Sequence, residues 1–422
     1  MTEQFLFYIW QYRLFDQQNL RTTTGETIQV LKPGELNSNA GPDFTNALIK
    51  IGDTTWAGNV EIHINASDWD AHKHSGNSNY DTIILHLVLD SDRIIHRKDG
   101  EAIPTLELKQ KLNWGVYENY TSLLKSRQWI PCGADIARVP DLNRNLWLER
   151  LLIERMERKA TEIAAYLLLN NNNLEEAFYF QLAKNFGFKV NSLPFEMLAK
   201  STPLQVIAKH RSSLFQLEAL LFGQAGLLDD EAEDDYTEQL QTEYHFLKSK
   251  FNLSPIPGHL WKFLRLRPVN FPSVRIAQFA ALVHQSNALL SKISEAAKME
   301  DLEDLFNVST SPYWETHYRF GKPSQQRKKT LGKMAFENIV INSVVSMMFL
   351  LSKHRNDESY AERAMLFLEK ISAENNTILS GFDSLGINAG NAAQGQSLIE
   401  LKNNYCSKKL CLECGIGKWL LK

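Results

Sequence analysis

Apolar and polar positions follow two different periods along this chain. Up to residue 112 they alternate in short runs: 27–32, 46–51, 54–64, 81–89, 93–100 and 103–108. Period two sends successive side chains to opposite faces of a strand, so these runs predict a sheet. Gly25, Gly52-Asp53 and Asp99-Gly100 punctuate them as turns. An amphipathic helix over about residues 3–20 is expected ahead of the first strand.

From residue 113 the period lengthens to that of a helix. Residues 143–169 (NRNLWLERLLIERMERKATEIAAYLLL) carry apolar positions at helical spacing and stop at four asparagines, Asn170 to Asn173. Further helices are expected at about 174–186, 203–224, 234–251, 274–296, 331–353, 358–373 and 391–405. No exact repeat is present, but so many short helices leave a solenoid-like stack open. The expected fold class is α+β, with a mixed-sheet domain at residues 1–112, for which a β-sandwich or barrel is the alternative, followed by an all-α domain at 113–422.

The candidate chemistry lies in the sheet-forming part. Gly41-Pro42-Asp43 and Val60-Glu61-Ile62-His63 flank a hairpin that turns at Gly52-Asp53. Period two puts Glu61 and His63 on one face, and Asp43, at the mouth of the preceding strand, can meet them across the hairpin. Two carboxylates at one point suit a hard divalent cation, Mg²⁺ or Mn²⁺. The next segment, DWDAHKH at 68–74, adds Asp68, Asp70, His72 and His74, and His86 follows in the apolar run 81–89. Four of the eleven histidines thus fall between residues 63 and 86. Clustered His, Asp and Glu point to a polar site that can bind metal, whereas a lone histidine is ordinarily a satisfied core or surface residue. The alternative is an ordinary Gly-Pro-Asp turn beside an ordinary half-exposed strand.

At these residues the sequence resembles the restriction-endonuclease-like superfamily, whose motif is written PD-(D/E)-x-K. Pro42-Asp43 matches its first half and Glu61-x-His63 its second, with histidine in place of lysine. The resemblance covers the sheet-forming region. It implies a restriction-endonuclease-like domain and a metal-dependent nuclease or phosphodiesterase acting on DNA or RNA. Asp43 and Glu61 would hold the cation, His63 would stand in the lysine's place, and His72 and His74 would assist. In that superfamily the lysine orients the attacking water and stabilises the phosphoryl charge. His63 is then either a general base or a metal ligand that draws preference toward Mn²⁺ or Zn²⁺, with Lys32, Lys50 and Lys73 as other sources of positive charge. Over its whole length the chain also resembles a bacterial family defined only as a domain of unknown function. That likeness rests on GPDF (41–44), GNVEIH (58–63), RLRPVNFP (265–272) and YCSKKLCLECGIG (405–417), and implies no activity.

Cys406-x4-Cys411-x2-Cys414 gathers three of the four cysteines, and Cys132 is the fourth. Clustered thiols without a secretory signal suggest metal ligands rather than disulfides, so zinc or an iron–sulfur cluster is expected, with buried free thiols as the alternative. The one-plus-three division resembles iron–sulfur-stapled nucleases of the exonuclease and CRISPR-adaptation kind, except that here the lone cysteine follows the acidic motif.

Composition bounds the partners. A net charge of −3, with 44% hydrophobic and 23% charged residues, describes a soluble globular chain without a global nucleic-acid footprint. Contact with nucleic acid would need a local basic surface. Candidates are Arg265, Arg267 and Arg275, placed to hold a phosphate at a helix N-terminus, and the run Lys322 to Lys333. The acidic stretch 229–235 reads as a solvated loop. The N-terminus lacks the basic region and cleavage site of a signal peptide, and the apolar run 339–351 is short for a bilayer, so no membrane and a cytoplasmic location are expected. Two other functions fit the sequence: a non-enzymatic scaffold for a protein or nucleic-acid partner with a degenerate nuclease-like domain, and a metal-dependent hydrolase of a small substrate.

Overall fold

The N-terminal helix α1 (Glu3–Gln11) is shorter than its apolar pattern suggested. Arg13 turns left-handed at φ 53°, and Phe15 then pairs in a β-bridge with Leu112. The computed structural model describes residues 1–421. After α1 come β1 (Ile28–Lys32), β2 (Glu35–Leu36), β3 (Phe44–Ile51), β4 (Thr54–Asn65), β5 (Ile83–Asp90) and β6 (Thr105–Glu107). They form one curled mixed sheet of order β1-β3-β4-β5-β6, with β2 also paired to β3. β1, β3 and β4 run antiparallel, and Gly52, at φ 57°, closes the β3–β4 turn. β4, β5 and β6 are parallel.

A parallel pair needs a crossover rather than a tight turn. Between β4 and β5 that crossover is helix α2 (Asp68–Ala71) followed by two short 3₁₀ turns, which bring the histidine-bearing loop back over β4. Val60 to His63 are consequently buried on both faces of the strand. At Gly58 the neighbouring strand comes so close that a Cβ would meet Ile84 Cγ2 at 2.4 Å. Segment 93–100 is not the expected strand. It contributes only the bridge His96–Ala102, because the Arg97 guanidinium ties it to the carbonyls of Asp81 and Ile83.

Two compact units divide the chain. The first holds Met1–Arg144 and the chain from Lys402 on; the second is Asn145–Leu401. The end of the sheet near residue 112 is therefore not the edge of the first unit, which also contains helix α3 (Trp114–Lys125) and the returning C-terminal segment.

The remainder is mostly helical, beginning with α4 (Asp141–Leu169) and α5 (Leu174–Phe186), the latter capped by the Asn173 side chain accepting the Glu176 N–H at 3.2 Å. The helix expected at 203–224 breaks at residues 211–213, where the Ser213 hydroxyl caps the new start by accepting the Gln216 N–H. That expected at 274–296 breaks at Ala288, which is left-handed at φ 53°. The second unit buries one continuous apolar core in which Phe279 meets Phe186 and Phe195 from two other helices. Helices packing on partners distant in sequence exclude the solenoid arrangement. Residues 333–355 form a single helical run with a π turn at Val340–Val344. The Asn342 carbonyl in this wide turn accepts the Gln181 amide at 2.8 Å. Among the described residues this run alone is long and apolar enough to cross a membrane, and most of it lies in the core. The acidic stretch is anchored at one end, since Asp234 caps the helix Asp235–Phe251 and accepts the Tyr313 hydroxyl at 2.6 Å.

Candidate functional site

Strand alternation puts Glu61 and His63 on one face of β4, as the sequence predicts. Asp43, immediately before β3, lies across the hairpin from them. Its N–H donates to Glu61 Oε2 at 3.1 Å, and the Ile62 N–H donates to Asp43 Oδ2 at 2.9 Å. The two carboxylates are thereby locked together.

The loop after α2 supplies the histidines. Lys73 adopts a left-handed φ of 60°, reversing the chain between His72 and His74 so that both meet the strand. His63 Nε2 lies 3.1 Å from His72 Nδ1 and 3.8 Å from Glu61 Oε1, while His74 Nε2 lies 3.1 Å from Glu61 Oε1. His63, His72 and His74 each offer a ring nitrogen, all within 4.8 Å of one another. His86, opposite Glu61 in the β4–β5 register, holds His63 from behind, Nε2 to Nδ1 at 2.8 Å. Asp68 and Asp70 shape the loop instead: Asp68 accepts the Asn65 N–H, and Asp70 pairs with Arg93.

Burial dominates the electrostatics. It pushes Glu61 up to about 8, with the Asp43 charge adding to the rise, and Asp43 up to about 6. It also pulls His63 down to about 2 and both His74 and His86 to about 4, helped by neighbouring imidazoles. At neutral pH the centre therefore holds neutral imidazoles beside a protonated carboxyl. His74 Nε2 is buried, and although near Glu61 it makes no aligned hydrogen bond. An orphaned ring nitrogen, two more imidazoles and two carboxylates make a donor set that can hold a cation. Ligand nitrogens about 2.1 Å from a tetrahedral ion sit roughly 3.4 Å apart, close to the His63–His72 spacing of 3.1 Å.

These shifts give the metal-free protein a pH signature. Between about pH 4.5 and 6.5 the three depressed histidines bind protons only in the unfolded chain, so stability is lost as pH falls. Raised Asp43 and Glu61 bind protons only in the folded chain over that window and oppose the loss, two groups against three. Above about pH 6.5 Glu61 is the group of this centre that still binds a proton only in the folded chain, and its contribution to stability falls as pH rises toward 8. In EDTA the melting temperature of wild type should therefore fall relative to that of Glu61→Gln, which cannot titrate, between about pH 7 and 8. A difference that stays constant across that range would contradict a raised Glu61.

Sequence reasoning missed Glu3. Its carboxyl lies within electrostatic reach of Asp43, Glu61 and His72, and its own pKa is raised by burial. An acid in a helix's first turn is commonplace, so no local signal marked it. The aromatic box was also unforeseen. Tyr80 stacks on His74 at 3.8 Å, and Trp69 packs edge-on against His63, His74 and His86. Beside His74 and Tyr80 opens a cavity of about 280 Å³ that is also lined by His96, Arg97 and Lys98. Among the described residues no lysine forms an ion pair with Asp43 or Glu61, so Lys32, Lys50 and Lys73 do not supply a motif lysine by that route.

Two other predicted sets come together. Cys132, Cys406, Cys411 and Cys414 all lie in the first unit, without disulfides. In the second unit the two basic segments meet: Arg267, Arg275, Arg327, Lys328, Lys329 and Lys333 line a cavity of about 390 Å³. Arg275 is buried there, bonded to Asn270 and Gln278 with its Nε unpartnered. Arg265, exposed and left-handed, stays outside that lining.

The first unit is thus an α+β fold with histidines and carboxylates gathered against a mixed sheet. The chain is a member of the family described as "Protein of unknown function (DUF2851)", which matches residues 3–377. The match bears out the whole-chain resemblance and lends no support to the PD-(D/E)-x-K likeness; it includes the β4 centre and stops short of Cys406. No curated protein and no solved structure matches the chain.

Proposed function

We propose that this protein is a metal-dependent phosphodiesterase acting on nucleic acid. One observation carries the reading: Asp43, Glu61 and the ring nitrogens of His63, His72 and His74 converge on one spot, with Glu61, His63 and His74 buried, Asp43 half-buried and His72 exposed. A divalent cation bound there would polarise a phosphoryl oxygen and lower the pKa of a bound water. Asp43 and Glu61 supply the negative charge that holds such an ion, and the backbone N–H groups of Asp43 and Ile62 fix both carboxylates in place. His63, only 1% exposed and hemmed in by three imidazoles, fits a ligand rather than a replacement for lysine. His72 is the exposed member and completes the nitrogen donors from the open side of the cluster. Three nitrogens among the donors favour Mn²⁺ or Zn²⁺ over Mg²⁺.

By itself, the second unit offers a separate place for an anionic group, a basic cavity where buried Arg275 forms no ion pair among the described residues. The cavity beside His74, suited in size to one small ligand, favours a second reading, hydrolysis of a small phosphate ester.

The test is a cleavage screen on EDTA-stripped full chain resupplied with Mn²⁺, Zn²⁺ or Mg²⁺. Substrates are single- and double-stranded DNA and RNA and a chromogenic phosphodiester. Nucleic-acid cleavage with Mn²⁺ or Zn²⁺, absent in EDTA and in His63→Lys, is the expected result. Activity surviving in His63→Lys would make His63 the lysine's stand-in. Cleavage of the small ester alone would favour the second reading, and no cleavage with any metal would sink both.

A further inference from the structure

The chain's end returns to the first unit and is tied there by its lysines. Lys402 Nζ donates to the Trp129 carbonyl at 2.6 Å, and Lys409 Nζ to the carbonyls of Leu124 and Ser126. The helix Gly415–Leu421 packs on α3. These contacts join residues 273 to 285 positions apart, and they deliver Cys406, Cys411 and Cys414 to Cys132. Cys132 sits in a turn, its carbonyl accepting the N–H groups of Asp135 and Ile136. Lys409, left-handed at φ 54°, reverses the chain between Cys406 and Cys411. Gly417 then packs so tightly on that loop that a Cβ would lie 2.2 Å from the Cys411 carbonyl oxygen.

Each of the six pairs among the four thiols lies within electrostatic reach. Cys132, Cys411 and Cys414 are buried, and none of the four is in a disulfide. Four thiols gathered from position 132 and from positions 406 to 414, three of them buried, form a ligand set rather than a chance of packing. Four thiolates suit a tetrahedral zinc ion or an iron–sulfur core, and both use the same protein chemistry.

We propose that Cys132, Cys406, Cys411 and Cys414 hold a thiolate-bound metal centre, a zinc ion or an iron–sulfur core, that ties the C-terminal segment into the first unit. Lys402 acts on Cys406 and Lys409 on Cys411 in the direction that favours thiolates, offsetting the negative charge such a site collects. Without a metal, burial pushes Cys132 up to about 12 and Cys411 to about 11, so both remain protonated thiols at neutral pH. Ligation would close a loop of nearly the whole helical region, and metal binding would add directly to folding stability.

The experiment is zinc, iron and acid-labile sulfide analysis of the full chain purified anaerobically. About one zinc per chain, or iron matched by acid-labile sulfide with a brown charge-transfer absorbance, is expected. Cys132→Ser and Cys411→Ser should each lose that metal and melt at lower temperature, whereas Glu61→Gln should keep it. The last arm separates this site from the proposed catalytic centre. Where a serine variant fails to fold, the wild-type and Glu61→Gln metal contents still decide. Neither zinc nor iron in the wild type, or a metal that is lost in Glu61→Gln, would overturn the proposal.

Discussion

Glu61→Gln is expected to abolish divalent-dependent cleavage while the metal-free protein stays as stable as wild type. Glu61 lies within 3.1 Å of His74 and 3.8 Å of His63, and it accepts the Asp43 N–H, so it touches three of the other four members of the centre. Losing a group that merely supports a metal ligand costs about 10–100-fold in affinity or activity; losing a charged ligand from the middle of the donor set should exceed that. Stability responds differently because burial raises Glu61 to about 8, which leaves it protonated at pH 7 in the metal-free protein. A glutamine has nearly the same shape and the same charge as that protonated acid. Thermal melts with and without Mn²⁺ or Zn²⁺ read both effects. Wild type should gain about 2.7 kcal/mol at a hundredfold excess of metal over Kd, and the variant should gain nothing. A variant that still binds metal and cleaves would remove Glu61 from the centre.

Glu400→Ala should destabilise the second unit more than any change at the β4 centre. Glu400 is 1% exposed and pairs with Arg155 at 3.0 Å and Arg158 at 2.7 Å. Arg155 also donates to Gln396, and the neighbouring Lys159, itself buried, donates to Asn342. Removing the acid leaves the Arg155 cation buried without its counter-charge, a loss of about 3–5 kcal/mol. For a unit of this size that corresponds to a melting temperature lower by roughly 10 °C. Glu400→Gln should fall between, keeping hydrogen bonds but not the charge. A drop of only a degree or two for Glu400→Ala, measured by calorimetry, would show that the arginines find water once the acid is gone.

Legibility in the sequence followed the range of the interactions concerned. Strands β1 and β3 to β5 are visible because alternation is a local pattern, and α5 was expected at residues 174–186, where it lies, because Asn173 and Gly187 mark its ends. The breaks at residues 211–213 and 286–288 were missed because the apolar spacing continues across them; a serine cap and a left-handed alanine decide there. Segment 93–100 has strand-like composition but lacks a strand partner beyond one bridge, and pairing is not a property of a segment alone.

Within the centre the same division holds. Glu61 and His63 share a face because the side-chain period of a strand is two, and the sequence by itself determined that much. It also determined that Asp43 and the histidines at 72 and 74 lie one turn or loop away from them, and that the chain changes from sheet to helix near residue 113. Only the tertiary structure decided that His86 supports His63 through strand register and that Glu3 joins from a helix 58 positions earlier than Glu61. It alone decided that the C-terminal segment belongs with the first unit and that its cysteines gather with Cys132. Local periodicity follows from the backbone geometry of each residue, whereas these meetings depend on register, crossover and chain return. Those are fixed by which apolar faces bury one another across the whole molecule.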